Sequence, residues 1–127
     1  MTLSDYFEKA KGKGIIATAD AKGKVGMAVY ARPHFISEKT AVFIMADRLM
    51  HKNLQSNPNA SYLFVEEGPR YTGKRLYLTK IKEEKNSDLV NQLRRRGCCP
   101  VDESYKQGQR FVVYFKVSKA LPLIGAE

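Results

Sequence analysis

Residues 40–65 read TAVFIMADRLMHKNLQSNPNASYLFV. Its two ends, Thr40–Ala46 and Ala60–Val65, are short apolar runs rich in β-branched and aromatic residues and bounded by polar ones. That is the pattern of buried strands. The middle, Asp47–Pro58, reads as a short helix, with Asp47 capping its start and Asn57-Pro58 stopping it. A helix that opens just past a strand presents unpaired backbone N–H groups and a positive dipole end. With Arg48, His51 and Lys52 alongside, the segment reads as a phosphate seat. The competing reading is a solvated connector helix carrying its usual charges.

Upstream, Thr2 and Asp5 form a capping pattern, and Leu3, Tyr6, Phe7 and Ala10 share one helical face. This first helix is expected to end at Gly12 and to lie as a lid on the core. Gly14–Ala19 reads as a strand, Asp20–Lys24 as a hairpin turn with Gly23 at a positive φ, and Val25–Ala31 as the returning strand. Gly26 in that strand marks a bulge or a close approach by a ligand. The run continues through Arg32–Ile36, where Pro33 argues for an edge or a bend. Downstream, Glu66–Gly73 is an exposed Gly/Pro loop and Lys74–Ile81 a strand. Asn86 caps a helix carrying Leu89, Val90 and Leu93; Arg94, Arg95 and Arg96 complement its dipole and Gly97 closes it. The last strand is Arg110–Val117, with Phe111, Val113, Phe115 and Val117 on one face and Val112, Tyr114 and Lys116 on the other. The expectation is a mainly β single domain, residues 1–127: a small six-stranded antiparallel barrel with peripheral helices.

The chain carries a net charge of +9. Such a balance suits nucleic acid, an anionic membrane or phosphorylated small molecules. The basic residues are spread along the chain, with one cluster at Arg94–Arg96, which points to a solvated surface and not to nucleic acid. A basic nucleic-acid-binding barrel remains the third functional reading; Tyr62, Tyr77 and Tyr114 would be its stacking residues. No apolar run approaches the ~20 residues of a membrane span, and the N-terminus has no signal-peptide pattern, so a cytoplasmic protein without membrane partners is expected. The adjacent pair Cys98-Cys99 cannot staple distant segments and does not make a zinc site. No metal, acid–base dyad or nucleophile triad is expected.

The order of these pieces resembles the FMN-binding split barrels of the pyridoxamine 5′-phosphate oxidase-like superfamily. Residues 14–30 (GIIATADAKGKVGMAVY) look like that family's opening hairpin, residues 42–60 like its strand and helix with "KxxNLxxNP" or "KNLxxNP", and residues 73–81 (GKRLYLTKI) like its strand "GxxLxLxG". The resemblance implies a homodimer with FMN sites at the subunit interface. Carried over by position, Lys52 matches the phosphate-binding lysine and Asn53 the asparagine that holds the helix start. Met27, Ala28, Val29 and Tyr30 match the stretch along the flavin ring, and Met45, Ala46 and Asp47 the strand end that meets the ring or ribityl chain. Arg48 and His51 join by charge and place. Leu49 and Met50 stand where many relatives place Ser or Thr, no proline follows Gly23, and the chain has no Trp. Vitamin B6 synthesis is therefore not implied. The implied function is that of an FMN-dependent oxidoreductase acting on a small-molecule substrate or electron donor. The alternative is a flavin, deazaflavin or haem carrier or electron-transfer module without a substrate of its own. His34 and His51 are the only histidines available to haem, and each is expected to be an ordinary surface or rim histidine. Tyr30 is expected either to shape the substrate side or to pack.

Overall fold

The computed structural model describes residues 2–85 and 110–125. The elements are α1 (Leu3–Lys9), β1 (Gly12–Ala19), β2 (Val25–Val29), β3 (His34–Ser37), β4 (Thr40–Ala46), α2 (Leu49–Asn53), β5 (Asn59–Glu66), β6 (Gly73–Glu84) and β7 (Arg110–Pro122). Residues 86–97, expected to form a helix, lie outside the described residues, as do Cys98 and Cys99.

Thr2 caps α1 with the full reciprocal box: its hydroxyl accepts from the Asp5 N–H and the Asp5 carboxylate accepts from the Thr2 N–H. The helix ends at Ala10, not at Gly12. Gly12 serves the sheet instead, because a Cβ there would stand 2.0 Å from the Val65 carbonyl oxygen on β5. The β1–β2 turn is pinned by Asp20, whose side chain accepts from the N–H groups of Lys22 and Lys24 at 2.9 Å. Gly23 supplies the positive φ, 85°, that this turn requires.

All strands join one antiparallel sheet in the order β2-β1-β5-β6-β7-β4-β3. Among the described residues the sheet has seven strands, where six were expected. The extra one arises because the expected long run through residue 36 divides at Pro33. Proline has no N–H to continue a ladder. The chain before it pairs with β1 at one edge, and the chain after it pairs with β4 at the other. Between β2 and β3 the main chain therefore crosses from one edge of the sheet to the other, and these edges are not hydrogen-bonded to each other. The sheet is split rather than closed.

Alternation decides what fills the interior. Ile16, Phe43, Met45, Tyr62, Phe64, Leu76 and Leu78 point inward, as do Phe111, Val113, Phe115 and Val117 of β7. Phe7 of α1 enters this core among Tyr6, Phe35, Tyr62 and Phe64, and stacks on Phe35 at 5.8 Å between ring centroids; the lid expected of this helix is in place. Val42, Val112 and Tyr114 form a second, smaller cluster. Among the described residues no helix is long and apolar enough to cross a membrane.

Candidate functional site

The segment after β4 is less helical than its sequence suggests. α2 has five residues, its N-cap is Arg48, and no side chain caps it. Asp47 was expected to cap; its carboxylate instead lies 3.2 Å from Nδ1 of His51. So short a helix has little dipole of its own, and its place is set by what it packs on.

Two inward contacts seat it. Met50 is buried, and its carbonyl accepts from the Thr18 hydroxyl at 3.3 Å. Asn53 is buried too, and its amide donates to the same hydroxyl at 3.1 Å. Gly26 of β2 makes room for this approach, since a Cβ there would meet Met50 Cε at 2.7 Å and Leu49 Cδ2 at 3.4 Å. The close approach marked by this glycine is thus made by the chain's own helix.

His51 is not the rim histidine expected. Its side chain is 6% exposed, and the ring stacks on Phe111 with centroids 4.0 Å apart and planes 15° from parallel. Nδ1 faces Asp47 and Nε2 lies 2.9 Å from Glu83 Oε2 on β6. Burial raises the Glu83 carboxyl, but hydrogen bonds from Gln55, Lys80 and His51 outweigh it and hold the group down at about 2.

The remaining expected site residues divide by exposure. Arg48 and Lys52 point to solvent, and neither makes an ion pair among the described residues. Met27 and Val29 are 69% and 78% exposed. Asp47 is exposed, and Ala28 and Ala46 are half-buried. Met45 is fully buried in the core, so only its backbone could serve a ligand. Tyr30 packs against Phe43, and its carbonyl accepts from the Tyr62 hydroxyl; of its two expected roles, packing is the one seen. Tyr62 and Tyr114 are buried, which leaves Tyr77 alone of the three tyrosines expected to stack on bases.

The resemblance named Met27 and Val29 of β2, but sequence reasoning missed Val25 and the concavity on the outer face beside them. Val25, Met27 and Val29 project from this edge strand, and their register partners on β1 are Ala19, Ala17 and Ile15. Next to them opens a concavity of about 680 Å³, lined by residues that include Ala17, Ala19, Ser61, Tyr77, Thr79 and Lys119. The signal was present in the sequence as the small side chains of Ala17 and Ala19 on β1, opposite Met27 and Val25 on β2.

No family model matches the sequence, and no curated protein matches it. Solved structures match closely in shape. An FMN-binding protein of Syntrophomonas wolfei superposes with a TM-score of 0.76 at 16% identity, over 98% of this chain and 85% of the other. The chain has the FMN-binding split-barrel fold. An F420 reductase has a TM-score of 0.74 at 12% identity, over 95% and 98% of the two chains. A candidate pyridoxamine 5′-phosphate oxidase of Lactobacillus delbrueckii has a TM-score of 0.66 at 13% identity, over 93% and 88%. Across this split-barrel group the shared property is architecture, at identities too low to carry individual residues over.

Proposed function

We propose that this split barrel is a cytoplasmic homodimer that binds FMN and acts as a small flavin-dependent oxidoreductase. One juxtaposition carries the reading. The exposed apolar row Val25, Met27 and Val29 lies on one face of the edge strand β2, α2 packs on the other face at Gly26, and α2 with its N-cap presents Arg48 and Lys52 to solvent, so a flavin would pass around the open edge of β2 from row to helix. A flat apolar row suits an isoalloxazine face, and two cations without an ion pair among the described residues suit a phosphate.

The residues fit such a group. Lys52 and Arg48 would hold the phosphate, the β2 row would support the ring, and backbone groups on the open side of this edge strand would hydrogen-bond to it. A bound flavin supplies hydride or electron transfer, and the protein supplies binding, orientation and electrostatics. The row of β2 and the concavity beside it form one apolar outer face. A second copy laid across it would cover the exposed side chains and exclude water from the ring. Haem is disfavoured at His51, because an axial iron bond needs a ring nitrogen and both nitrogens there already face carboxylates.

The test is titration of the purified chain with FMN, F420 and haem, followed by visible absorption and fluorescence, with sedimentation equilibrium at micromolar concentration. Saturable FMN binding by a species of twice the chain mass is expected. A chain that binds none of the three, or binds haem alone, refutes the flavin reading.

A further inference from the structure

The His51 cluster has no part in the flavin reading as stated, yet it is the most elaborate polar assembly among the described residues. α2 is a single turn without a side-chain cap, and one turn has no stability of its own in water. Its inner side is held by Met50 and by the Thr18–Asn53 pair. Among the described residues its flank is tied to β6 through His51 and, just past the helix, through Gln55, both of which meet Glu83. The ring lies flat on Phe111 of β7, one nitrogen toward Asp47 at the mouth of the helix and the other toward Glu83 on β6.

We propose that His51 is a positioning residue, a pin between Asp47 and Glu83 that fixes α2 against the end of β6 and so sets where Arg48 and Lys52 stand. The consequence is a dependence on pH. A carboxylate only accepts hydrogen bonds, so both links are made only when both ring nitrogens carry protons. Gln55 Nε2 also lies 3.2 Å from His51 Nε2, but its two N–H groups are taken by Glu83 Oε1 at 2.9 Å and the His51 carbonyl at 3.1 Å, so Glu83 is the partner left for that ring nitrogen. Among the described residues the charged groups around the ring are Asp47, Glu83, Lys80, which is ion-paired to Glu83, and Lys85, whose Nζ stands 5.5 Å from the Phe111 ring. Phe111 itself brings no charge. When the ring gives up a proton, one nitrogen is left lone pair to lone pair with a carboxylate, and that link is lost.

The test starts with the protein free of cofactor, so it does not depend on the flavin reading. The chain has two histidines, so His34→Asn leaves the His51 ring as the only imidazole, whose protonation is read directly by ¹⁵N NMR. Hydrogen exchange is read at the amides of Lys52, Leu54 and Gln55, which bond to the carbonyls of Arg48, His51 and Lys52. Protection of these amides is expected to fall by about tenfold as the ring deprotonates, the loss expected of one hydrogen bond to a charged group. Glu83→Gln is expected to lower the protection measured while the ring is protonated and to flatten its pH profile, with Asp47→Asn as an independent second break. Unchanged protection in both variants, or a wild-type profile that ignores the state of the ring, overturns the pin. FMN affinity, which rests on the flavin reading, is compared between wild type and Glu83→Gln at one fixed pH, because the phosphate itself ionises at about pH 6; it should fall in the variant while riboflavin affinity does not. If exchange responds to the ring and to Glu83→Gln and FMN affinity does not, the pin stands and the phosphate seat at Lys52 is refuted.

Discussion

Lys52→Ala separates a phosphate seat from a mere surface charge. Lys52 lies on the solvent side of α2, with Arg48 at the N-cap as a second cation. Hydrogen bonds to charged groups contribute about 1.5–3 kcal/mol. Two features move the expectation to the lower end: the side chain is exposed, so water and salt screen it, and Arg48 remains to meet the same phosphate. A loss of about 1.5–2 kcal/mol corresponds to roughly 10- to 30-fold weaker FMN binding. Riboflavin, which has the ring and lacks the phosphate, should bind the variant as it binds the wild type. Fluorescence titration of both ligands against both proteins reads the contrast. The substitution should not disturb the fold, because the residues that seat α2 are Met50 and Asn53 and the side chain of Lys52 faces away from them. Parallel losses for both ligands would mean that α2 had shifted and would leave the charge without a role. An FMN affinity equal to wild type would show that the phosphate is seated elsewhere, and the reading of residues 47–58 as its site would be wrong.

Three further outcomes are expected. Met27→Asp puts a charge in the row proposed to be covered by a second copy, where each Met27 would contribute about 1.5–3 kcal/mol on burial; sedimentation should show monomer and flavin binding should fall, and an intact dimer would exclude this face. Gly14→Ala places a Cβ 1.8 Å from the Tyr62 hydroxyl, which donates to the Tyr30 carbonyl; overpacking and a broken buried hydrogen bond together should remove about 2–4 kcal/mol, seen as a thermal midpoint lower by roughly 10 °C. Burial, and then its hydrogen bond to the Glu66 carboxylate, raise the Tyr6 hydroxyl well above its ordinary value. The neutral form is favoured in the fold, so the stability it contributes is present below about pH 10 and lost as pH rises past that point. Tyr6→Phe should flatten this alkaline limb in denaturation curves, and an unchanged limb would remove Tyr6 as its source.

What was legible in the sequence was what depends on near neighbours. The Thr2–Asp5 box, the Asp20–Gly23 turn and the inward set of β7 each rest on spacings of a few residues. Gly26 was legible as a close approach, though not what approached. Gly12 was misread as a helix end because helix caps and close strand contacts call for the same residue, and only the carbonyl of Val65 distinguishes them. In the site, the cations Arg48 and Lys52 stand exposed as their charge suggests, but His51 and Asn53 do not join them. Nothing local tells that these two polar residues are buried, since their partners Glu83 and Thr18 lie 32 and 35 residues away.

The sequence by itself determined the strand faces, the turns and the order of elements, because period-two alternation and turn chemistry are written within a few residues. Only the tertiary structure decided that the chain changes sheet edge at Pro33, that β2 and β3 are edges, and that α2 turns His51 inward and Lys52 outward. Those outcomes depend on which distant strand offers a free ladder and which distant side chain can satisfy a buried donor, and both partners are assembled only when the sheet is.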